Sequence, residues 1–77
     1  MKIVGIFNKK EEEIGFRLSG METNLIQEKE KLINLLENLN KDTNIGILVI
    51  NDDIYKLLPQ EFDKMKEKRL PLLLKLN

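Results

Sequence analysis

The chain has 77 residues, 13 basic and 13 acidic side chains, and neither cysteine nor histidine. This length predicts a single domain over residues 1–77, which the pattern below assigns to the α/β class, and the balanced charge gives no electrostatic reason to bind nucleic acid. The absence of cysteine and histidine excludes disulfides, thiolate nucleophiles, imidazole acid–base catalysis and the usual structural zinc sites.

The amino-terminal part predicts a strand followed by a helix. Residues 3–7 are almost all apolar, which is typical of a strand that is buried on both faces. A helix is expected to begin near Glu11, and the charged run over residues 9–13 is expected to be a solvated helix face. Gly20 is suited to end it in the left-handed conformation, with Met21 making the hydrophobic contact that accompanies such a cap.

The middle of the chain predicts a short strand and an amphipathic helix. Residues 21–27 form a strand candidate with Leu25 and Ile26 as its only apolar neighbours. A helix is expected over residues 28–40. Its apolar side chains recur at the spacing of one helix face: Leu32, Leu35, Leu36 and Leu39.

Residues 45–50 form the strongest apolar run of the chain and predict a central strand. The three residues that follow it, Asn51-Asp52-Asp53, supply side-chain oxygens that favour the start of a helix. That short helix carries Ile54, Leu57 and Leu58.

Pro59 is expected to open the next helix at its first turn, where proline is tolerated. In this helix Phe62 and Met65 are predicted to face the core, and the charged residues from Asp63 to Arg69 are predicted to face solvent. A last strand is expected over residues 72–76, introduced by Pro71.

Strands and helices that alternate at these spacings predict parallel strands joined by right-handed crossovers. The expected architecture is a three-layer α/β sandwich of the receiver or flavodoxin type. Its four-stranded parallel sheet has the order 2-1-3-4 and is flanked by helices. The sequence offers no run long enough for a membrane span or a signal-peptide core, so we expect a soluble chain without direct membrane insertion.

No cofactor or catalytic site is expected. The glycine patterns of dinucleotide-binding and phosphate-binding loops are absent. A phosphoacceptor receiver domain is the main rival, because Asp52 or Asp53 could imitate the acceptor after the third strand. Its metal would need carboxylates after the first strand, where the chain has Asn8-Lys9-Lys10. Tyr55 is expected to be a half-buried packing residue.

The candidate partner-binding residues are Gly15, Phe16, Arg17, Leu18 and Gly20. Gly15 is unfavourable inside a helix, which suggests close approach to the sheet or to another chain. Arg17 beside Phe16 fits either a surface arginine or an interface anchor. Leu18 is expected to face the sheet. Phe16 lies about 160° from it around the helix, so Phe16 should pack under a loop or contact a partner.

The same segment, together with the strands at 45–50 and 72–76, resembles the F subunit of the V-type and A-type rotary ATPases. The likeness lies in the Gly15-Phe16-Arg17-Leu18-Ser19-Gly20 helix, the glycine-opened strand Ile45-Gly46-Ile47-Leu48-Val49-Ile50 and the proline-led final strand. It implies a non-catalytic rotor subunit of the central stalk in a proton- or sodium-translocating ATPase or ATP synthase.

The resemblance also implies the partners. They would be the D subunit, which forms the coiled coil of the stalk, and, as a further contact, the catalytic head subunits, in a cytoplasmic complex peripheral to the membrane. Family members usually continue into a C-terminal helix, and this chain is expected to lack that helical tail. The alternatives are a degenerate receiver-like signalling or small-ligand-binding domain, and a stand-alone dimerising scaffold.

Overall fold

The computed structural model describes residues 1–68 and 71–76, so the prediction that Arg69 faces solvent lies outside the described residues. Strands and helices alternate as the apolar pattern predicts. The elements in chain order are β1 (Lys2–Phe7), α1 (Lys10–Leu18), β2 (Glu22–Leu25), α2 (Lys29–Asn40), β3 (Ile45–Asn51), α3 (Asp52–Leu57), α4 (Pro59–Lys66) and β4 (Leu72–Leu76).

All strand pairs are parallel, and the sheet has the order β2-β1-β3-β4. This confirms the predicted α/β sandwich and its strand order. β1 and β3 lie in the middle and have the continuous apolar sequences typical of strands with helices on both sides. β2 is an edge strand of only four residues, which explains its weak signal in the sequence.

Three helices, α2, α3 and α4, pack on one face of the sheet and form the main core. Leu32 and Leu36 from the predicted stripe of α2 are buried there, whereas Leu35 and Leu39 are partly buried. Ile54 of α3 is also buried, and so are Phe62 and Met65 of α4, which were predicted to face the core. Pro59 stands in the first turn of α4, as predicted.

The opposite face of the sheet carries only α1 among the described helices. This helix packs on β1 and β2. Farther along the same face, four aliphatic side chains have no helix above them within the described residues. We call this group the open face: Ile3, Ile47, Leu72 and Leu74.

Candidate functional site

The orientation of α1 differs from the prediction. Phe16 is half-buried and stacks on Phe7 of β1, with ring centroids 4.8 Å apart and an angle of 4° between the rings. Leu18, which was predicted to face the sheet, is 81% exposed. The prediction for Leu18 is therefore wrong, and the aromatic ring of the segment makes the contact with the sheet.

The space for this stack comes from Gly5, on the same face of β1 as Phe7. A methyl group at position 5 would lie 2.5 Å from a ring carbon of Phe7 and 2.9 Å from the sulfur of Met21. The missing side chain thus lets the Phe7 ring lie flat over the strand, where Phe16 covers it. A flat ring makes a larger contact there than a leucine would, which explains why the helix turns its aromatic residue inwards.

Glu13 lies on the same side of α1 and is buried. Its carboxylate accepts a hydrogen bond from the hydroxyl of Thr23 on β2. This corrects the prediction that the charged run before the segment is entirely solvated. The bond between Glu13 and Thr23 and the stack between Phe16 and Phe7 together fix the rotation of α1.

Arg17 follows Glu13 by one helical turn, and its Nε lies 3.6 Å from the Glu13 carboxylate. The arginine side chain is 60% exposed. Arg17 thus compensates a buried negative charge within the chain while part of its guanidinium group stays accessible to solvent.

Gly20 ends the segment with a φ of +97°, and the bonds around it form a Schellman cap. The amide of Gly20 donates to the carbonyl of Arg17, and the amide of Met21 donates to the carbonyl of Phe16. The predicted left-handed cap is confirmed.

Gly15 lies in the middle of α1, and a methyl group placed there would have no heavy atom within 4 Å. The expected close approach to the sheet is therefore wrong, so no contact within the described part of the chain requires a glycine at this position. The alternative from the sequence, close approach by another chain, stays a prediction.

Replacing Gly15 by alanine should raise the free energy of unfolding by about 1 kcal/mol, because alanine favours the helix and its methyl group meets no obstacle. Urea unfolding of the purified domain measures the change. A lower stability than that of the wild type would contradict the open surroundings of this residue.

At the carboxyl ends of the strands, Asn51 organises a polar network. Its side-chain amide donates to the Asn8 side chain at 2.6 Å and to the Glu12 carboxylate at 2.9 Å. Its side-chain oxygen accepts from the amide of Ile54 at 2.8 Å and so caps α3. Asn51 is buried, and this network joins β1, α1, β3 and α3.

The two aspartates that follow are held in structural contacts. Lys56 donates a hydrogen bond that keeps the pKa of Asp52 below its ordinary value, and Lys75 adds to this effect. Asp53 accepts a hydrogen bond from Asn8. β3 thus ends on an amide, Asn51, and the adjacent loop of β1 offers an amide where a receiver domain would need metal-binding carboxylates.

Tyr55 is half-buried, as predicted. Its hydroxyl donates to the carboxylate of Asp63 at 2.7 Å, and this bond raises the pKa of Tyr55. The ammonium groups of Lys66 and Lys75 lie 5.1 Å and 4.8 Å from the centre of its ring. Tyr55 therefore links α3 to α4 and β4.

Within residues 1–68 and 71–76, no cluster of three or more histidine, cysteine, aspartate or glutamate side chains is arranged to hold a metal ion. In the same ranges, each helix is too short or too polar to cross a membrane.

Comparisons with known proteins agree with the fold. A family model described as "ATP synthase (F/14-kDa) subunit" matches residues 4–77. The structure is similar to the crystal structure of the F subunit of the V-type ATP synthase from Archaeoglobus fulgidus, with a TM-score of 0.76 at 17% sequence identity. This similarity covers 99% of the present chain and 98% of the archaeal chain. No curated protein matches the sequence.

Proposed function

Because the chain belongs to the family of the ATP synthase (F/14-kDa) subunit, whose members are non-catalytic, we propose that it is a central-stalk component of the rotor. In this role it binds the coiled-coil D subunit of the stalk, turns with it and contributes to the coupling between rotation and ATP hydrolysis or synthesis. The family match over residues 4–77 is the observation that carries this proposal.

Two features on the surface of α1 support a role in assembly, because no contact within the described residues accounts for them. Leu18 exposes most of its side chain to solvent, and Gly15 has open space beside it. We propose that both contact the coiled-coil stalk subunit. Phe16, Arg17 and Gly20 also belong to the proposed docking segment, but they act mainly by holding α1 in position through the stack, the Glu13 ion pair and the cap.

The proposed location follows from the proposed partner. Within the complex the chain would lie on the cytoplasmic side of the membrane, peripheral to it, and contact with the catalytic head subunits would be a second interaction. Neither the proposed location nor the contact with the head subunits requires a ligand or a metal ion bound to this chain.

Co-expression with the coiled-coil stalk subunit of the same organism tests the proposal. We expect a stable complex on size-exclusion chromatography, weakened about tenfold or more by Leu18→Asp, because the new charge would be desolvated in the interface. Ile33→Asp on α2 is the matched control, since Ile33 is also an exposed aliphatic residue of a helix. Separate elution of the two wild-type proteins would refute the proposed function.

A further inference from the structure

The open face is an apolar surface on an otherwise charged small domain. Leu72 is 53% exposed, and Ile3 and Leu74 are each 44% exposed. The register places Ile3 beside Ile47, and Ile47 beside Leu72, so these side chains form a row across β1, β3 and β4 on one face of the sheet. Leu74 extends this row along β4.

The width of the sheet indicates what is missing from this face. Neighbouring strands lie about 4.8 Å apart, so a four-stranded sheet is about 19 Å wide. A helix with its side chains is about 10 Å wide, so the width of one face accommodates about two helices side by side. The opposite face carries three because α3 and α4 are short helices that follow each other directly in the chain. α1 occupies the half over β1 and β2, which leaves a space one helix wide over β3 and β4.

The two edge strands differ in a way that supports this conclusion. β2 has the sequence ETNL, which is typical of a solvated edge. β4 has the sequence LLLKL, with leucines on both faces. In parallel sheets such continuous apolar sequences are typical of strands that are covered by helices on both sides. The sequence of β4 thus fits a strand whose outer face is buried in its working state.

Gly15 borders this space. Glu12 reaches Asn51 at the end of β3, so this flank of α1 points towards β3. Gly15 follows Glu12 by three residues and lies on the same flank, because residues three apart are neighbours on a helix surface. With no side chain at position 15 and no atom near it, a second helix can approach the backbone of α1 closely.

We propose that the open face binds one amphipathic α-helix of the coiled-coil stalk subunit. This helix lies beside α1 and runs along β3 and β4. This inference rests on the proposed function and deepens it by naming the docking surface. The helix would present an uncharged aliphatic stripe, since the open face itself carries only aliphatic side chains. An apolar patch of this kind is the centre of an interface, and the exposed top of α1 supplies part of its rim.

Binding of the stalk subunit to open-face variants tests the inference. Leu72→Asp and Leu74→Asp should each weaken binding about a hundredfold or more, because a carboxylate would be buried against an aliphatic stripe. Both positions are exposed in the chain alone, so the variants should fold, and circular dichroism with a thermal melt checks this. Ile33→Asp, on the opposite side of the sheet and 39% exposed, should bind like the wild type.

A cross-linking experiment gives an independent measurement. The chain has no cysteine, so Leu74→Cys can be labelled with a benzophenone maleimide at a single site. Irradiation of the complex should attach the stalk subunit to this position, whereas the Ile33→Cys control should give no adduct.

The outcomes separate the two proposals. Wild-type affinity in both open-face variants, together with no adduct at position 74, would overturn the docking surface and leave the stalk function intact. A wild-type chain that does not bind the stalk subunit would overturn the proposed function and the docking surface with it. A homodimer that Leu74→Asp dissociates without affecting stalk binding would assign the open face to self-association instead.

Discussion

Replacing Phe16 by alanine is expected to lower the free energy of unfolding by about 2–3 kcal/mol. A fully buried phenylalanine typically costs about 3–5 kcal/mol when truncated to alanine, and Phe16 is half-buried. The stack on Phe7 adds to the loss, since parallel ring contact contributes beyond the buried area. Urea unfolding followed by circular dichroism measures the change.

Leu18→Ala is the matched control, because it removes an apolar side chain two residues away in the same helix. Its effect should stay within about 0.5 kcal/mol, since Leu18 is almost entirely exposed. The sequence alone predicts the opposite order, with Leu18 as the core residue. A larger loss for Leu18→Ala than for Phe16→Ala would show that α1 is rotated relative to the orientation described.

The second large effect is expected for Asn51→Asp, which should destabilise the fold by about 2–3 kcal/mol at neutral pH. An aspartate keeps the oxygen that caps α3 through Ile54 but loses the two donated hydrogen bonds. It also places a carboxylate within hydrogen-bond distance of the Glu12 carboxylate. Adjacent carboxylates in a partly buried site repel each other, and the loss of the amide donor leaves the Asn8 side-chain oxygen without its hydrogen bond.

This destabilisation should depend on pH. In the folded variant the two neighbouring carboxyl groups hold a proton more strongly than in the unfolded chain. The loss in free energy of unfolding relative to the wild type is therefore largest at pH 7. It shrinks as the pH falls towards about 4, where the pair becomes protonated. Urea unfolding at several pH values measures the trend, and a deficit that grows on acidification would contradict it.

Two further variants identify the cause. Asn34→Asp makes the same chemical change at an exposed position of α2 and should alter the stability by no more than about 0.5 kcal/mol. Adding Glu12→Gln to Asn51→Asp restores an amide donor to the pair and should recover a large part of the loss. No recovery in the double variant would mean that contacts other than the one between positions 12 and 51 determine the effect.

The features that the sequence predicted correctly are governed by local rules. The apolar runs of β1 and β3 identify the two central strands of the sheet. The stripe of α2, the proline at the start of α4 and the left-handed cap at Gly20 each depend on a few neighbouring residues. For these elements, periodicity and the chemistry of helix ends are sufficient.

The rotation of α1 could not be predicted in this way. This helix has nine residues, too few for a clear apolar stripe. Its orientation depends on the hydrogen bond between Glu13 and Thr23 and on the stack of Phe16 on Phe7. Both contacts join α1 to a strand that is separate from it in the sequence. A signal was nevertheless present, because Gly5 inside an otherwise bulky strand indicates that something large lies close to its backbone.

The open face could not be predicted either, although its residues were identified as parts of strands. The leucines of β4 fit a sheet covered on both sides, and only the count of helices on each face reveals that one side lacks a cover. That count needs the strand order and the crossover of every helix, which are properties of the whole domain.

The position of β4 at the edge of the sheet has a consequence for cells that make this chain. An edge strand with unpaired backbone groups and aliphatic side chains is a template for pairing with other chains. Lys75 is the one charged residue of this strand. Its ammonium group donates a hydrogen bond to Asp52 and does not place a charge on the open face. Copies made in excess of the proposed stalk subunit would therefore leave the aliphatic face of this edge strand uncovered and prone to aggregation, so balanced synthesis or rapid proteolysis of surplus copies would protect the cell.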